Sequence, residues 1–359
     1  MRANRSTGTT RGRRRVALVT ISLSLLLAMV LPLTGYVMHD AGMAFAADDE
    51  KAKAEEAVNP RAEYWREVRQ GTEGYTSVSG PEAGVLIQNG GENWRELRTG
   101  PLMFWGGWFV IVILLAIAAK HLIKGKDKLE GGRSGRTILR WSLFERLLHW
   151  SVAILFIILA ITGFSLLFGR TVLIPLLGKE GFAAWAQLAK PMHDYLALPF
   201  VALLALMLLI WIPRNIMRSY DFKWLKSMGG YFGKGHEDAP AHFANGGEKV
   251  FFWLLFVFGI ALTISGFYLL FPNLGTEREA MQMWNLVHGI AGVVLTGITL
   301  GHIYLGTIGV EGVFEGMVGG DVDEAFARQH HNLWYEDVKG AAPQGGRAKA
   351  SDTTTAAPT

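Results

Sequence analysis

Four histidines lie in or at the edges of strongly apolar segments of this chain: His149, His193, His288 and His302. Ionisable side chains are costly inside a membrane, so each is a candidate functional group by default. His288 and His302 are fourteen residues apart. In a helix this interval brings the second residue to within about 40° of the first, with a rise of about 21 Å. One helix would therefore present two ligands on one face, at two depths of a bilayer.

Two further histidines would supply the partners if the apolar segments cross the membrane alternately. Pairing by depth joins His193 with His288 toward the outer surface and His149 with His302 toward the inner surface. Two bis-histidine sites suit two haem b groups, which need only axial imidazoles and an apolar slot. A single membrane histidine more often bonds a neighbouring helix, but two depth-matched pairs favour haem ligation. Zinc is not favoured, because neither pair has the additional ligands that complete four-fold coordination.

The composition agrees with a membrane location. Hydrophobic residues make up 50% of the 359 residues and charged residues only 18%, against about 25% charged in soluble domains. Cysteine is absent, which excludes disulfides, covalently attached haem and cysteine-bound iron–sulfur clusters within this chain. The net charge of +4 suggests no nucleic-acid partner, because basic residues in such an apolar chain are typical of cytoplasmic loops.

Apolar runs long enough to cross the roughly 30 Å hydrocarbon layer as helices follow one another along the chain. They are residues 102–119, 147–169, 195–213, 250–271 and 280–310. The loop 120–146 contains eight Lys or Arg and the loop 214–249 contains six, whereas 170–190 contains three and 272–284 one. The positive-inside rule places the two basic loops, and hence the C-terminus, in the cytoplasm.

The N-terminus has the pattern of a secretory signal. Basic residues at 11–15 precede an apolar run at 16–38, and the small residues Ala44 and Ala46 mark a cleavage site after Ala46. An uncleaved anchor is the alternative, because 23 apolar residues are long for a signal. Both interpretations place the mature N-terminus in the periplasm.

These observations predict an all-α membrane protein with a di-haem four-helix transmembrane bundle, one additional N-terminal transmembrane helix and a signal sequence. No internal repeat is apparent. The expected organisation is a signal peptide at 1–46, an extracytoplasmic segment at 47–101, the additional helix at 102–123, the di-haem domain at 124–338 and a disordered tail at 339–359.

The chain resembles the cytochrome b (gamma) subunits of respiratory formate dehydrogenases over roughly residues 137–338. Each motif is weak alone, but their combination is specific. The similar pieces are Leu148-His149-Trp150 with Thr162-Gly163, Pro191-Met192-His193, the stretch 286–292, His302-Ile303-Tyr304 and the tail segments 315–318 and 329–335.

The resemblance implies a place in a respiratory chain of the bacterial inner membrane. Formate would be oxidised on a separate molybdopterin (alpha) subunit, and electrons would pass through an iron–sulfur (beta) subunit to the outer haem, then to the inner haem and to quinone. This chain would then carry no catalytic residue for formate and would contact its partner subunits, lipid and quinone.

The resemblance also implies a quinone site on the cytoplasmic side, near the inner haem. The positions carried over are Asn245, Gly247 and His302. Glu248 stands where an amide is expected, so it is either a proton donor or a solvated side chain. Without the resemblance, an ordinary loop and helix N-cap explains these residues equally well.

Two other functions stay open from the sequence. The first is a cytochrome b subunit of an uptake hydrogenase or of another molybdoenzyme, with the same wiring. The second is a haem-free membrane anchor or proton-relay transporter, whose histidines would carry protons instead of iron.

Overall fold

The computed structural model describes residues 64–66, 72–73, 85–87, 90–230, 239–273 and 276–341. The predicted signal at 1–46 and most of the predicted tail lie outside these residues. Within the described part, the helices long and apolar enough to cross a membrane are Gly91–Lys124, Leu143–Asn215, Gly246–Leu270 and Arg278–Gly309. The prediction of an all-α membrane protein is confirmed. The five apolar runs correspond to these four helices, since the longest helix contains two of the runs.

Short strands and helices complete the described chain. In order, the elements are β1 (Thr72–Glu73), β2 (Val85–Ile87), α1 (Gly90–Leu97), α2 (Met103–Lys124), β3 (Thr137–Leu139), α3 (Leu143–Asn215), α4 (Ser219–Lys226), α5 (Gly246–Leu270), α6 (Arg278–Tyr304), α7 (Val313–Gly319), β4 (Asp321–Asp323), α8 (Glu324–His330) and α9 (Asn332–Ala341). Single π-helical turns connect α1 to α2 at Arg98–Leu102 and follow α6 at Leu305–Gly309.

Helix α3 is folded back on itself at Gly178. This residue has φ 73° and ψ 172°, a conformation that glycine adopts without a steric penalty. It separates a first limb, 143–177, from a second limb, 179–215. The limbs are antiparallel, because Glu145 near the start of the first forms an ion pair with Arg214 at the end of the second. One hydrogen-bonded element thus supplies two of the predicted crossings.

The limbs of α3 pack together through apolar side chains. Phe156 and Phe200 have ring centroids 6.2 Å apart and lie between the ion pair and the fold at Gly178, nearer to the ion pair. The buried members of this core are Leu148, Val152, Leu159, Phe200, Leu204, Met207, Leu208 and Phe252. Since Phe252 belongs to α5, the same cluster attaches α5 to both limbs.

Helix α2 packs along α6. An added Cβ at Gly106 would lie 3.3 Å from Val293, and one at Gly297 would lie 2.5 Å from Phe109, so small residues let the two backbones approach closely. A helix therefore occupies the segment 102–123, as expected. Its assignment as an additional transmembrane helix stays a prediction.

The last part of the chain folds against the loop after α2 to form a unit that we call the C-terminal module, consisting of residues 310–341 and strand β3. Strand β3 pairs antiparallel with β4, with Ile138 opposite Val322. Asp323 accepts hydrogen bonds from Ser134, Gly135 and Ala325. Burial alone would raise the pKa of Asp323, but these donors hold it below its ordinary value.

The module is attached to the helix bundle by Arg140. Its guanidinium donates to the Phe243 carbonyl at 2.6 Å and lies 5.2–5.9 Å from the ring centroids of Trp141, Phe243, Phe326 and Trp334. Cation–π contacts of a desolvated guanidinium are worth about 2 kcal/mol. The first helical limb, the loop before α5 and the C-terminal module therefore meet at one buried cation.

Candidate haem sites

His193 and His288 face each other across the bundle. His193 lies on the second limb of α3 and His288 on α6, and their ring centroids are 6.0 Å apart with an interplanar angle of 77°. A metal–imidazole bond is about 2 Å long and a ring nitrogen lies about 1.1 Å from the ring centre, so two imidazoles on opposite sides of one metal have centres about 6.2 Å apart. The observed separation fits a shared iron.

Both rings of this pair are held by hydroxyl groups. Thr162 Oγ1 lies 3.0 Å from Nδ1 of His193, and Ser265 Oγ lies 3.0 Å from Nδ1 of His288. A hydrogen bond to one imidazole nitrogen fixes the ring orientation and leaves the other nitrogen for a metal.

His149 and His302 form the second pair, with ring centroids 6.2 Å apart and an interplanar angle of 59°. Here aromatic rings hold the ligands. Phe251 stacks on His302 at 4.3 Å, with planes within 2° of parallel, and Trp211 lies 6.3 Å from His149. Within the part of the chain that is described, Nδ1 of His149 is buried without a hydrogen-bond partner.

The paired histidines are not fully enclosed by the protein, and glycines lie beside two of them. His302 is exposed and the other three ligand candidates are partly exposed, so none of the four rings is sealed off by side chains. A Cβ added at Gly163 would lie 3.0 Å from Cε1 of His193. The glycine thus keeps the ring close to the first limb of α3, and Gly266 stands in the same relation to His288, at 3.3 Å.

Three of the four predicted quinone residues, Asn245, Gly247 and Glu248, lie at the start of α5, and the fourth, His302, lies on α6. Asn245 Oδ1 accepts from Glu248 N at 2.9 Å, and Glu248 Oε2 accepts from Asn245 N at 2.9 Å, the reciprocal bonds of a capping box. A Cβ at Gly247 would lie 2.7 Å from the Trp224 ring. Asn245, Gly247 and Glu248 therefore each have a structural role in the first turn of α5.

The same helix turn adjoins His302 and carries a buried charge. Phe251, one turn after Glu248, is the ring stacked on His302. Lys249 donates to Asp221 Oδ2 at 2.7 Å, and the two side chains are only 2% and 0% exposed. Arg140 lies 3.5 Å from Glu248. The α5 start thus gathers a carboxylate with partial solvent access, a buried ion pair and a ligand candidate.

Reasoning from sequence singled out all four histidines, and the structure brings them together in the expected pairs. It missed the hydroxyls of Thr162 and Ser265 as ligand partners. The available signal was that each hydroxyl directly precedes a glycine, in Thr162-Gly163 and Ser265-Gly266.

The known proteins to which this chain is similar are b-type cytochromes. Residues 140–320 match the family described as prokaryotic cytochrome b561. The cytochrome b556(Fdn) subunit of nitrate-inducible formate dehydrogenase from Escherichia coli K12 is 25% identical over 209 residues, covering 57% of this chain and 94% of that protein. The formate dehydrogenase cytochrome b556(fdo) subunit of the same strain is 28% identical over 206 residues, covering 56% and 94%. The formate dehydrogenase cytochrome b556 subunit of Haemophilus influenzae is 30% identical over 211 residues, covering 56% and 83%.

Paired histidines between apolar helices, in a chain without cysteine, are the arrangement expected of a transmembrane b-type cytochrome. The chain belongs to the prokaryotic cytochrome b561 family. Haem b binding and a role in electron transfer at the bacterial inner membrane follow from that membership.

Proposed function

We propose that this chain holds two haem b groups, one between His193 and His288 and one between His149 and His302. The observation that carries the proposal is the spacing of both pairs, 6.0 and 6.2 Å between ring centroids. When bound, haem b supplies a one-electron iron couple. The imidazoles would hold the iron, and the apolar walls of α3, α5 and α6 would exclude water from it.

Helix α6 would connect the two sites, since it carries one ligand of each. Its fourteen-residue interval corresponds to a rise of about 21 Å, so the sites lie at different depths of a membrane. In the proposed orientation the His193–His288 site is periplasmic, the His149–His302 site is cytoplasmic, and the C-terminus is cytoplasmic. The eight basic residues of loop 120–146 support this orientation.

We further propose that the chain is the electron-transfer and membrane-anchoring subunit of a formate dehydrogenase complex. The similar proteins of Escherichia coli and Haemophilus influenzae are cytochrome b556 subunits of formate dehydrogenases, which supports this assignment. Because the chain has no cysteine, the iron–sulfur clusters of such a pathway would belong to a partner subunit, and formate would be oxidised on a separate molybdopterin subunit. Residues 47–100 would pack on these partner subunits outside the membrane.

Quinone would be reduced near the start of α5, beside Asn245, Gly247, Glu248 and His302. Reduction consumes two protons for each quinone. The Glu248 side chain is 38% exposed, so it would take protons from solvent and pass them inward. Its capping bonds occupy one carboxylate oxygen, which leaves the other for this exchange.

The test is haem content and optical spectrum of the purified full chain with its complex. Two haem b per chain are expected. His288→Ala should remove one haem and His302→Ala the other, whereas His242→Ala, at a histidine that is 43% exposed on the protein surface, should remove neither. The absence of b-type bands in the unmodified protein, or equal loss of both haems in each ligand variant, contradicts the proposal.

The complex and its acceptor need a separate measurement. Formate-dependent reduction of a quinone analogue by inner-membrane vesicles should require this chain. Glu248→Gln should slow turnover while leaving the haem content and the reduction of both haems by formate unchanged. An unchanged rate of quinone reduction in the Glu248→Gln variant would contradict the role of this carboxylate. Quinone reduction driven by hydrogen instead of formate would assign the chain to another dehydrogenase.

A further inference from the structure

The expectation that the chain has no internal repeat is wrong, because the first limb of α3 and helix α5 carry the same sequence pattern. With an offset of 103 positions, residues 145–168 align without gaps on residues 248–271, and ten of the 24 positions are identical. The agreement is strongest at the end, where 161–168 reads ITGFSLLF and 264–271 reads ISGFYLLF. Both helices also begin with a capping box at equivalent positions.

The repeat places equivalent hydroxyls beside the two ligands of one site. Thr162 and Ser265 correspond to each other at this offset, and each lies 3.0 Å from Nδ1 of its histidine. The His193–His288 site is therefore locally two-fold symmetric, with a hydroxyl and a glycine from each copy. The other site is not, since the position equivalent to His149 is Phe252.

The Thr162 hydroxyl donates its proton to the backbone of its own helix. Thr162 Oγ1 lies 2.8 Å from the carbonyl oxygen of Ile158 and 3.2 Å from that of Leu159. Two oxygens approach this closely only when a hydrogen lies between them, so the hydroxyl donates to the carbonyl. Its lone pairs then face His193, whose Nδ1 must carry the proton and donate it.

Ser265 repeats the arrangement. Its Oγ lies 2.6 Å from the carbonyl oxygen of Ala261, so Nδ1 of His288 is also the donor in its contact with the hydroxyl. Both rings are thereby fixed as the tautomer with Nδ1–H. In each ring Nε2 is left with a free lone pair, which is the form that binds a metal.

We propose that Thr162 and Ser265 are a matched pair of positioning residues that set the tautomer of both ligands and lower the reduction potential of the haem between them. The inference rests on the proposed haem at His193 and His288. An acceptor at Nδ1–H makes an imidazole more basic, and a more basic ligand stabilises the oxidised iron. The His149–His302 site has no such hydroxyl pair, so the effect is confined to one site.

The test is a redox titration of the full chain in its complex with isosteric variants. Thr162→Val and Ser265→Ala should each raise the midpoint potential of the haem that His288→Ala removes. Each shift should be below a tenfold change in the one-electron equilibrium constant, which corresponds to 59 mV. The shifts should add in the double variant, because the two hydroxyls contact different rings. The midpoint of the other haem should not move.

Matched controls separate the contact with histidine from the loss of a buried hydroxyl. Ser165 in α3 and Thr263 in α5 donate to the carbonyls four residues earlier, both at 2.7 Å. Ser165→Ala and Thr263→Val should leave both midpoints unchanged. Thr162→Ser keeps the hydroxyl and should restore the original value.

An unchanged midpoint in the double variant, or equal shifts of both haems, overturns the proposal. If Thr162→Val empties the site, haem occupancy becomes the readout: retention of that haem in Thr162→Ser supports the proposal and its loss there overturns it. A complete absence of haem from the unmodified protein is a different result, because it overturns the proposed function itself.

Discussion

The two histidine pairs have nearly the same spacing but are held by different means. At the His193–His288 site, hydrogen bonds to hydroxyls of the repeated helices orient both rings. At the His149–His302 site, a stacked phenylalanine supports one ring, and Nδ1 of the other has no partner among the described residues. The first site depends on groups within the bundle, whereas the second depends on packing at its end.

The surroundings of the second site extend beyond the membrane helices. Trp150, next to His149, donates from its indole to the Met317 carbonyl at 2.9 Å, so the C-terminal module closes this end of the bundle. The start of α5, with its buried ion pair, lies beside His302. The quinone site proposed at this end would take its protons from solvent at the start of α5, where the Glu248 side chain is 38% exposed.

The largest expected effect is a loss of stability when a buried ion pair at the His149–His302 end is broken. Breaking an exposed ion pair near the other site should cost much less. Asp221→Asn leaves Lys249 buried at 2% exposure without its carboxylate. Removing one partner of a buried pair costs about 3–5 kcal/mol of unfolding free energy. Thermal unfolding of the solubilised protein should show this loss, and haem should be lost first from the His149–His302 site.

The matched control is Asp194→Asn near the other site. Its partner Lys190 is 59% exposed, and exposed pairs contribute about 0.2–1 kcal/mol. Equal destabilisation by the two variants would show that burial at the start of α5 does not distinguish the two ends.

The next effect tests the close approach of helix and ligand at the His193–His288 site. Gly163→Ala places a methyl 3.0 Å from His193, and overpacking of this kind costs about 1–3 kcal/mol. We expect a shifted spectrum or partial loss of that haem, with a smaller effect for Gly266→Ala. Gly292→Ala is the control, because its Cβ would meet only Leu262 at an ordinary 3.9 Å. A normal spectrum in Gly163→Ala would contradict a tight fit.

The elements of the site were predictable to different degrees. Apolar runs located the long helices, since a bilayer requires about 20 apolar residues in a row. The pairing of histidines followed from the fourteen-residue interval and alternate crossing. The hydroxyl partners did not follow, because a Thr or Ser in an apolar helix ordinarily bonds its own i−4 carbonyl. The glycine that follows each hydroxyl is a local signal of close packing, but it does not indicate that the neighbour is a histidine of another helix.

The C-terminal module could not be predicted from the sequence for another reason. Strands β3 and β4 are three residues each and pair residue 138 with residue 322, so neither carries a periodic signal and the contact is remote in sequence. The capping role of Asn245 and Glu248 was visible as an N-cap alternative. The sharp turn of α3 at Gly178 was not visible in the sequence, because the chain is helical on both sides of that glycine.

Acid should weaken the end that the C-terminal module closes. His331 is 1% exposed, and its Nδ1–H donates to the His242 carbonyl at 2.8 Å. Burial, together with the positive charge of Arg140, lowers the pKa of His331 well below 6.5. The unfolded chain therefore binds a proton below pH 6.5 that the native protein does not, and stability falls by about 1.4 kcal/mol per pH unit below that value.

Unfolding midpoints between pH 5 and 8 would measure this slope. His331→Gln keeps a donor for the His242 carbonyl and should flatten the dependence below pH 6.5. A slope that is unchanged in His331→Gln would mean that other groups carry the acid sensitivity.

The smallest effect concerns the stacked ring at the His149–His302 site. Phe251→Leu keeps an apolar side chain but removes a stack at 4.3 Å, and such aromatic pairs contribute about 0.5–1.5 kcal/mol beyond buried area. We expect a changed spectrum and weaker retention of the haem that His302→Ala removes. The haem at His193 and His288 should be unaffected, because hydroxyls rather than rings hold its ligands. The control removes the stacking of Tyr268 on Trp284, whose ring centroids are 4.9 Å apart. If Phe251→Leu altered the two haems equally, the distinction between a hydrogen-bonded site and a packed site would fail.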